Sequence, residues 1–134
     1  MARLIVNQGL QVELDRLFAI NGPPAAVQSM AVDDATEAFQ AADTKLNDGT
    51  GYTQHVAQAF DSAATRASQT VSATTTYGTG TANFTIRRIS LHYAASGSVT
   101  ASSTTLFGGI DGQSLTKTTD FSLAITLQVT ATSV

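Results

Sequence analysis

The chain has 134 residues, enough for one packed core and too few for two. Seven Lys and Arg against ten Asp and Glu leave a formal net charge of −3, without the clustered basic footprint that nucleic-acid binding requires. Apolar residues reach 43% and charged ones only 13%, about half the usual share. Cysteine is absent, which excludes disulfides, thiolate metal sites and thiol nucleophiles.

No apolar run reaches the roughly 18 residues that cross a bilayer. The opening Met1-Ala2-Arg3-Leu4-Ile5-Val6 is interrupted by Asn7 and Gln8, too early for a signal peptide. The expectation is a chain made and soluble in a cytoplasm, with no membrane partner. Charge is unevenly spread: residues 1–67 carry four basic and eight acidic side chains, and residues 68–134 carry three and two. Ser and Thr fill 26 of the last 67 positions. This asymmetry predicts a front containing a helix and loops, and a β-rich back.

In chain order, Leu10, Leu14, Leu17 and Phe18 fall on one stripe of a helix, with Asn7 as a cap and Asn21-Gly22-Pro23-Pro24 as a stop. Residues 1–24 thus read as an N-terminal arm with one α-helix, and residues 25–134 as a β-domain. Ala26–Val32 reads as a short strand, Asp33-Asp34 as a turn, and Thr36–Ala42 as a helical turn or ordered loop. Asn47-Asp48-Gly49-Thr50-Gly51 signals a turn, and Tyr52–Phe60 a strand. Val71–Tyr77 alternates as a strand, and Gly78-Thr79-Gly80 turns the chain. Phe84 and Ile86 have one parity and Ile89, Leu91 and Tyr93 the other, which predicts a β-bulge across Arg87-Arg88. Ala94–Ser98 reads as a loop, Val99–Phe107 as a strand and Gly108-Gly109-Ile110-Asp111-Gly112 as a tight turn.

From Phe121 onward, Phe121, Leu123, Ile125, Leu127, Val129 and Ala131 alternate with Ser122, Ala124, Thr126, Gln128, Thr130 and Thr132. A period of two gives a strand with one apolar face and one uncharged, hydroxyl-rich face. Successive strands joined by short turns favour a mainly β, antiparallel sandwich, jelly-roll-like, behind one N-terminal helix.

Few residues suggest chemistry. His55 and His92 are the only histidines, and no third ligand stands at metal-site spacing, so both read as ordinary sheet or surface histidines. Asp33, Asp34, Glu37, Asp43 and Asp48 crowd one window without a calcium-loop register, so turn formation and capping explain them. Gly78-Thr79-Gly80 lacks the GK[ST] ending of a phosphate loop. Arg87 and Arg88 point to opposite faces of a strand, one exposed and the other meeting a carboxylate or a neighbouring subunit. Asn83-Phe84-Thr85 matches a glycosylation sequon that matters only if the chain is secreted. No serine elbow or Ser/His/Asp spacing is present, and the back half offers only Asp111 and Asp120 as carboxylates. The expectation is a non-enzymatic chain with no catalytic, cofactor or metal residues.

Three segments resemble a group of small tailed-bacteriophage virion structural proteins: Val32–Leu46, Thr75–Ile86 and Ser114–Phe121 leading into the closing strand. Together they span roughly residues 30–134. The resemblance implies a β-sandwich that decorates the head or contributes to the tail, and it carries over no functional residues. On this reading the chain is a capsid decoration (cement) protein of the virion. Its partners are the major capsid protein and/or copies of itself, and it forms a homo-oligomer. A tail or neck component is the alternative. A glycan-binding module is the reading from another class, and its exposed aromatics would have to come from Tyr52, Tyr77 and Tyr93, because there is no Trp.

Overall fold

The computed structural model of the protein describes residues 3–5, 26–48 and 50–131. The expected helix over Leu10–Phe18 and the division at residue 24 lie outside these residues. Ten strands follow in chain order: β1 (Arg3–Ile5), β2 (Ser29–Asp33), β3 (His55–Ala59), β4 (Thr65–Ala67), β5 (Thr70–Tyr77), β6 (Thr85–Ile86), β7 (Arg88–His92), β8 (Leu106–Ile110), β9 (Leu115–Thr116) and β10 (Leu123–Thr130). The only helical pieces among the described residues are 3-10 turns at Leu46–Asp48 and Ser96–Ser98. The protein is mainly β, and every strand pair is antiparallel.

The strands form a five-stranded sheet, β1-β8-β7-β2-β3, a three-stranded sheet, β10-β5-β4, and the small β6-β9 pair. One core joins all three. Met30 and Val32 of β2, Ile89 and Leu91 of β7 and Phe107 of β8 meet Ile86 of β6, Tyr77 of β5 and Ile125 of β10. The Tyr77 hydroxyl donates to the Met30 carbonyl at 2.8 Å, tying the two larger sheets together across that core. Burial pushes this hydroxyl's pKa up, so it stays a donor at any working pH.

Strands β2 and β7 are buried along their whole length, on both faces. Met30, Val32, Ile89 and Leu91 face the core. The alternate residues Ser29, Ala31, Asp33, Arg88, Ser90 and His92 occupy the other face, which two long loops cover. Leu46 and Val99 from those loops cluster with Ala31, and Phe39 clusters with Leu106.

Several expectations need correction. Asp33 is the last residue of β2, not part of an exposed turn, because its register partner in β7 is Arg88. The parity change near Arg87-Arg88 is no bulge. There the chain leaves β6, paired with β9, and enters β7, paired with β2 and β8, so its two halves belong to different sheets. The irregularity in this region lies instead between Leu91 and His92, where β7 pairs with β8.

The expected strand Val99–Phe107 and turn Gly108–Gly112 are also displaced, since the strand is Leu106–Ile110. Gly109 stands opposite Ser90 with Phe39 against it, and a Cβ there would lie 2.3 Å from the Ile89 carbonyl oxygen. Glycine is thus required inside the strand by close approach. Phe121 precedes the closing strand and is 40% exposed, while Ile125 is buried.

Candidate functional site

The densest polar chemistry lies on the loop-covered face of the five-stranded sheet. Because Asp33 and Arg88 are directly opposed across β2 and β7, their side chains meet. Arg88 Nε donates to Asp33 Oδ1 at 2.9 Å and Nη2 to Asp33 Oδ2 at 3.1 Å, a two-pronged ion pair with both residues essentially inaccessible. Nη2 also donates to the Leu46 carbonyl at 2.6 Å, and the Ala35 N–H donates to Asp33 Oδ1 at 2.9 Å. Burial raises the Asp33 pKa, against the opposing pull of Arg88. Arg88 Nη1 is buried with no hydrogen-bond acceptor among the described residues. The guanidinium instead lies 4.3 Å from the Phe39 ring centroid, where the π face supplies part of what an acceptor would give.

His92 lies two positions further along the same face. Its Nε2 lies 2.9 Å from Ser90 Oγ, and its Nδ1 lies 3.0 Å from Thr105 Oγ1. Ser90 Oγ donates to the Ala31 carbonyl at 3.5 Å, which leaves it to accept from an Nε2–H. Burial holds the His92 pKa down to about 3, with the nearby His55 adding to the effect. His92 is therefore neutral and functions as a fixed hydrogen-bond donor and acceptor. His55 Nε2 donates to the Val99 carbonyl at 3.0 Å, so its Nδ1 accepts from Tyr52 Oη at 2.5 Å. Each histidine thus fastens a loop to the sheet, and each ring is occupied on both nitrogens. Among the described residues, no three His, Asp or Glu side chains converge to hold a metal ion.

The acidic window disperses into separate tasks. Asp34 accepts from the backbone of Thr53 and Gln54 and from the Thr53 hydroxyl. Burial nudges its pKa upward, but these hydrogen bonds outweigh it and hold the carboxylate below its ordinary value. Glu37 accepts from Thr50 N–H, Asp43 from Gln40 N–H, and Asp48 from the N–H groups of Thr44 and Lys45. Asp111 accepts from Phe39 N–H at 2.9 Å, so the ring over Arg88 is positioned from β8's end of the sheet. Asp120 caps its own turn through Thr118.

Arg88 is paired with a carboxylate, whereas Arg87 lies between β6 and β7 and is half-buried, not exposed on a strand face. Gly78-Thr79-Gly80 is the turn after β5. It is fixed by Lys117, which the sequence offers only as a member of the Ser114–Phe121 segment: Nζ, on a residue 1% exposed, donates to Gly78 O at 2.7 Å, Asn83 Oδ1 at 3.0 Å and Thr118 O at 3.3 Å. Asn83 of the sequon is thereby engaged, and its Nδ2 donates to Thr79 O. Of the tyrosines, Tyr77 and Tyr93 are buried and Tyr52 is half-buried against His55. The signal for Lys117 was weak, a single Lys in a Thr-rich lead-in to a strand.

An apolar groove of about 490 Å³ opens at one end of the core, lined by residues that include Val27, Phe60, Val71, Phe107, Leu127 and Val129. All of the described residues that line it are apolar, so no described side chain there would orient a small ligand. The second feature facing solvent is the outer surface of the three-stranded sheet, where Thr70 and Thr130, Thr74 and Thr126, and Ser72 and Gln128 are joined by side-chain hydrogen bonds of 2.7, 2.7 and 3.2 Å. The β10 members of this ladder are exposed and the β5 members half-buried; the three pairs carry no charge, and at the end of the same row the Thr76 hydroxyl donates to Asp61 Oδ2 at 2.6 Å. Comparison with protein-family models, curated proteins and solved structures gives no match.

Proposed function

We propose that this chain is a structural assembly protein whose two larger sheets stack as a jelly-roll-like β-sandwich, and that it serves as a capsid decoration (cement) protein of a tailed-phage virion. The observation that carries this reading is the uncharged hydroxyl ladder over β5 and β10. Burying such a surface against a lattice costs little, because hydroxyls re-form their hydrogen bonds, while an unpaired charge buried in its place would cost several kcal/mol. The polar groups on the loop-covered face of the five-stranded sheet fit the same reading, since among the described residues Asp33, Arg88, His55 and His92 are engaged in holding loops. The resemblance of Val32–Leu46, Thr75–Ile86 and Ser114–Phe121 to virion proteins supplies the particular setting, with the major capsid protein and other copies as partners.

The test is quantitative mass spectrometry of purified particles. A fixed stoichiometric ratio to the major capsid protein is expected, together with earlier thermal disruption of particles lacking the chain. A few copies per particle would move the protein to the tail or neck. Absence from particles would end the virion reading. A glycan-binding role finds no support in the aromatics, since Tyr77 and Tyr93 are turned into the core.

A further inference from the structure

The three-stranded sheet ends in a strand whose outer edge pairs with no other strand among the described residues. β10 is an edge strand eight residues long, paired on one side with β5 in unbroken register from Leu123↔Tyr77 to Thr130↔Thr70. Which backbone groups face outward follows from one hydrogen bond. Ala131 N–H donates to Gln69 O at 3.0 Å, and the register places these two residues opposite each other. Odd positions of β10 therefore turn N–H and C=O toward β5, and the even positions Ala124, Thr126, Gln128 and Thr130 turn theirs away. The 2.7 Å hydroxyl contacts of Thr126 with Thr74 and Thr130 with Thr70 agree, since side chains approach most closely at non-hydrogen-bonded pairs.

Edge strands are normally blunted by charge, proline, a bulge or a covering segment. The opposite side of β5 is treated in this way. β4 covers its start, and Asp61 covers its end, with Asp61 N–H donating to Thr74 O at 2.8 Å and Asp61 Oδ1 accepting from Thr76 N–H at 2.9 Å. Leu123–Thr130 contains no charge, proline, glycine or bulge, and no strand pairs with its outer edge among the described residues.

We propose that the outer edge of β10 pairs antiparallel with the same edge of a second copy of this chain, joining two three-stranded sheets into one of six. The partner is argued from complementarity: an antiparallel edge satisfies itself across a two-fold axis, and an uncharged edge does not repel its own copy. Only a register that sets even positions against even positions pairs the outward groups. With Leu127 on the axis, Thr126 faces Gln128 of the partner subunit, and Ala124 faces Thr130 of the partner subunit, so all four outward-facing residues are used. The same register brings the half-buried Leu127 against Leu127 of the partner subunit beside the apolar groove. This inference deepens the assembly reading above and rests on it for its purpose, though not for its geometry.

The test uses the full-length chain. Sedimentation should show a dimer, and Thr126→Pro should weaken it at least tenfold, because proline there removes an outward N–H and none of the bonds to β5. In a chain without cysteine, Leu127→Cys should give a disulfide-linked dimer under mild oxidation, and Ser72→Cys on the neighbouring strand should not. Axis residues at a non-hydrogen-bonded pair lie about 4.5 Å apart at Cα, within disulfide reach. A monomer at every concentration overturns the proposal. So does an oligomer in which Leu127→Cys fails to cross-link, whether or not Thr126→Pro folds. A protein absent from particles that still dimerises through β10 would sink the virion reading alone.

Discussion

The pair Asp33–Arg88 illustrates how much a single residue can commit in this protein. Replacing Arg88 with Ala leaves a buried carboxylate without its partner, and a loss of about 3–5 kcal/mol is expected in urea unfolding. The double change Arg88→Met with Asp33→Leu should recover most of that, since no buried charge then remains. His92 sets a pH dependence. The unfolded histidine takes up a proton near pH 6.5, while the folded one resists until about pH 3. Between those values the unfolded state binds the extra proton, so stability falls on acidification by up to about 1.4 kcal/mol per pH unit. His92→Gln should remove one proton's worth of that slope across an unfolding series from about pH 7 to 4. The slope would remain unchanged if the ring were exposed.

At the scale of elements, the close approach of β8 to β7 at Gly109 admits no larger residue. Gly109→Ala would drive a methyl into the Ile89 carbonyl and the Phe39 ring. A loss of about 1–3 kcal/mol is expected in thermal or urea unfolding, because neither backbone can retreat. β10 and β5 were legible in the sequence because each has one wet and one dry face, so a period of two is written into Leu123–Thr130 and Val71–Tyr77. β2 and β7 were harder to read, because burial on both faces erases the alternation. The change of sheet at Arg87 imitates a bulge for the same reason that any parity break does. Gly108 and Gly109 read as a turn, since the ring that demands smallness at Gly109 comes from Phe39, some seventy positions earlier. β4 and β9, three and two residues long, carry no pattern at all. Of the polar face, the sequence suggested that one arginine would meet a carboxylate or a neighbouring subunit, but not which carboxylate, because the partner is 55 positions away.

On the scale of the whole molecule, one stretch is the longest exposed run among the described residues. Residues 61–69 are exposed throughout and contain Arg66, whereas Arg88 and Lys117 are buried. Brief trypsin treatment of the native protein should therefore cut after Arg66 well before it cuts after Arg88 or Lys117, as peptide mass mapping would show. Early cleavage at Arg88 would mean that the polar face opens in the native state. That face also sets an order of events. The loops over it are tethered to Asp33, Arg88, His55 and His92, which become neighbours only after β2, β3 and β7 have paired. The covering loops are accordingly expected to settle after those strands have paired, and to lift before the strands part when the chain is stressed. A protein built this way would lose its polar seal before its greasy core, exposing Arg88 and His92 to water while the sheets still hold their register.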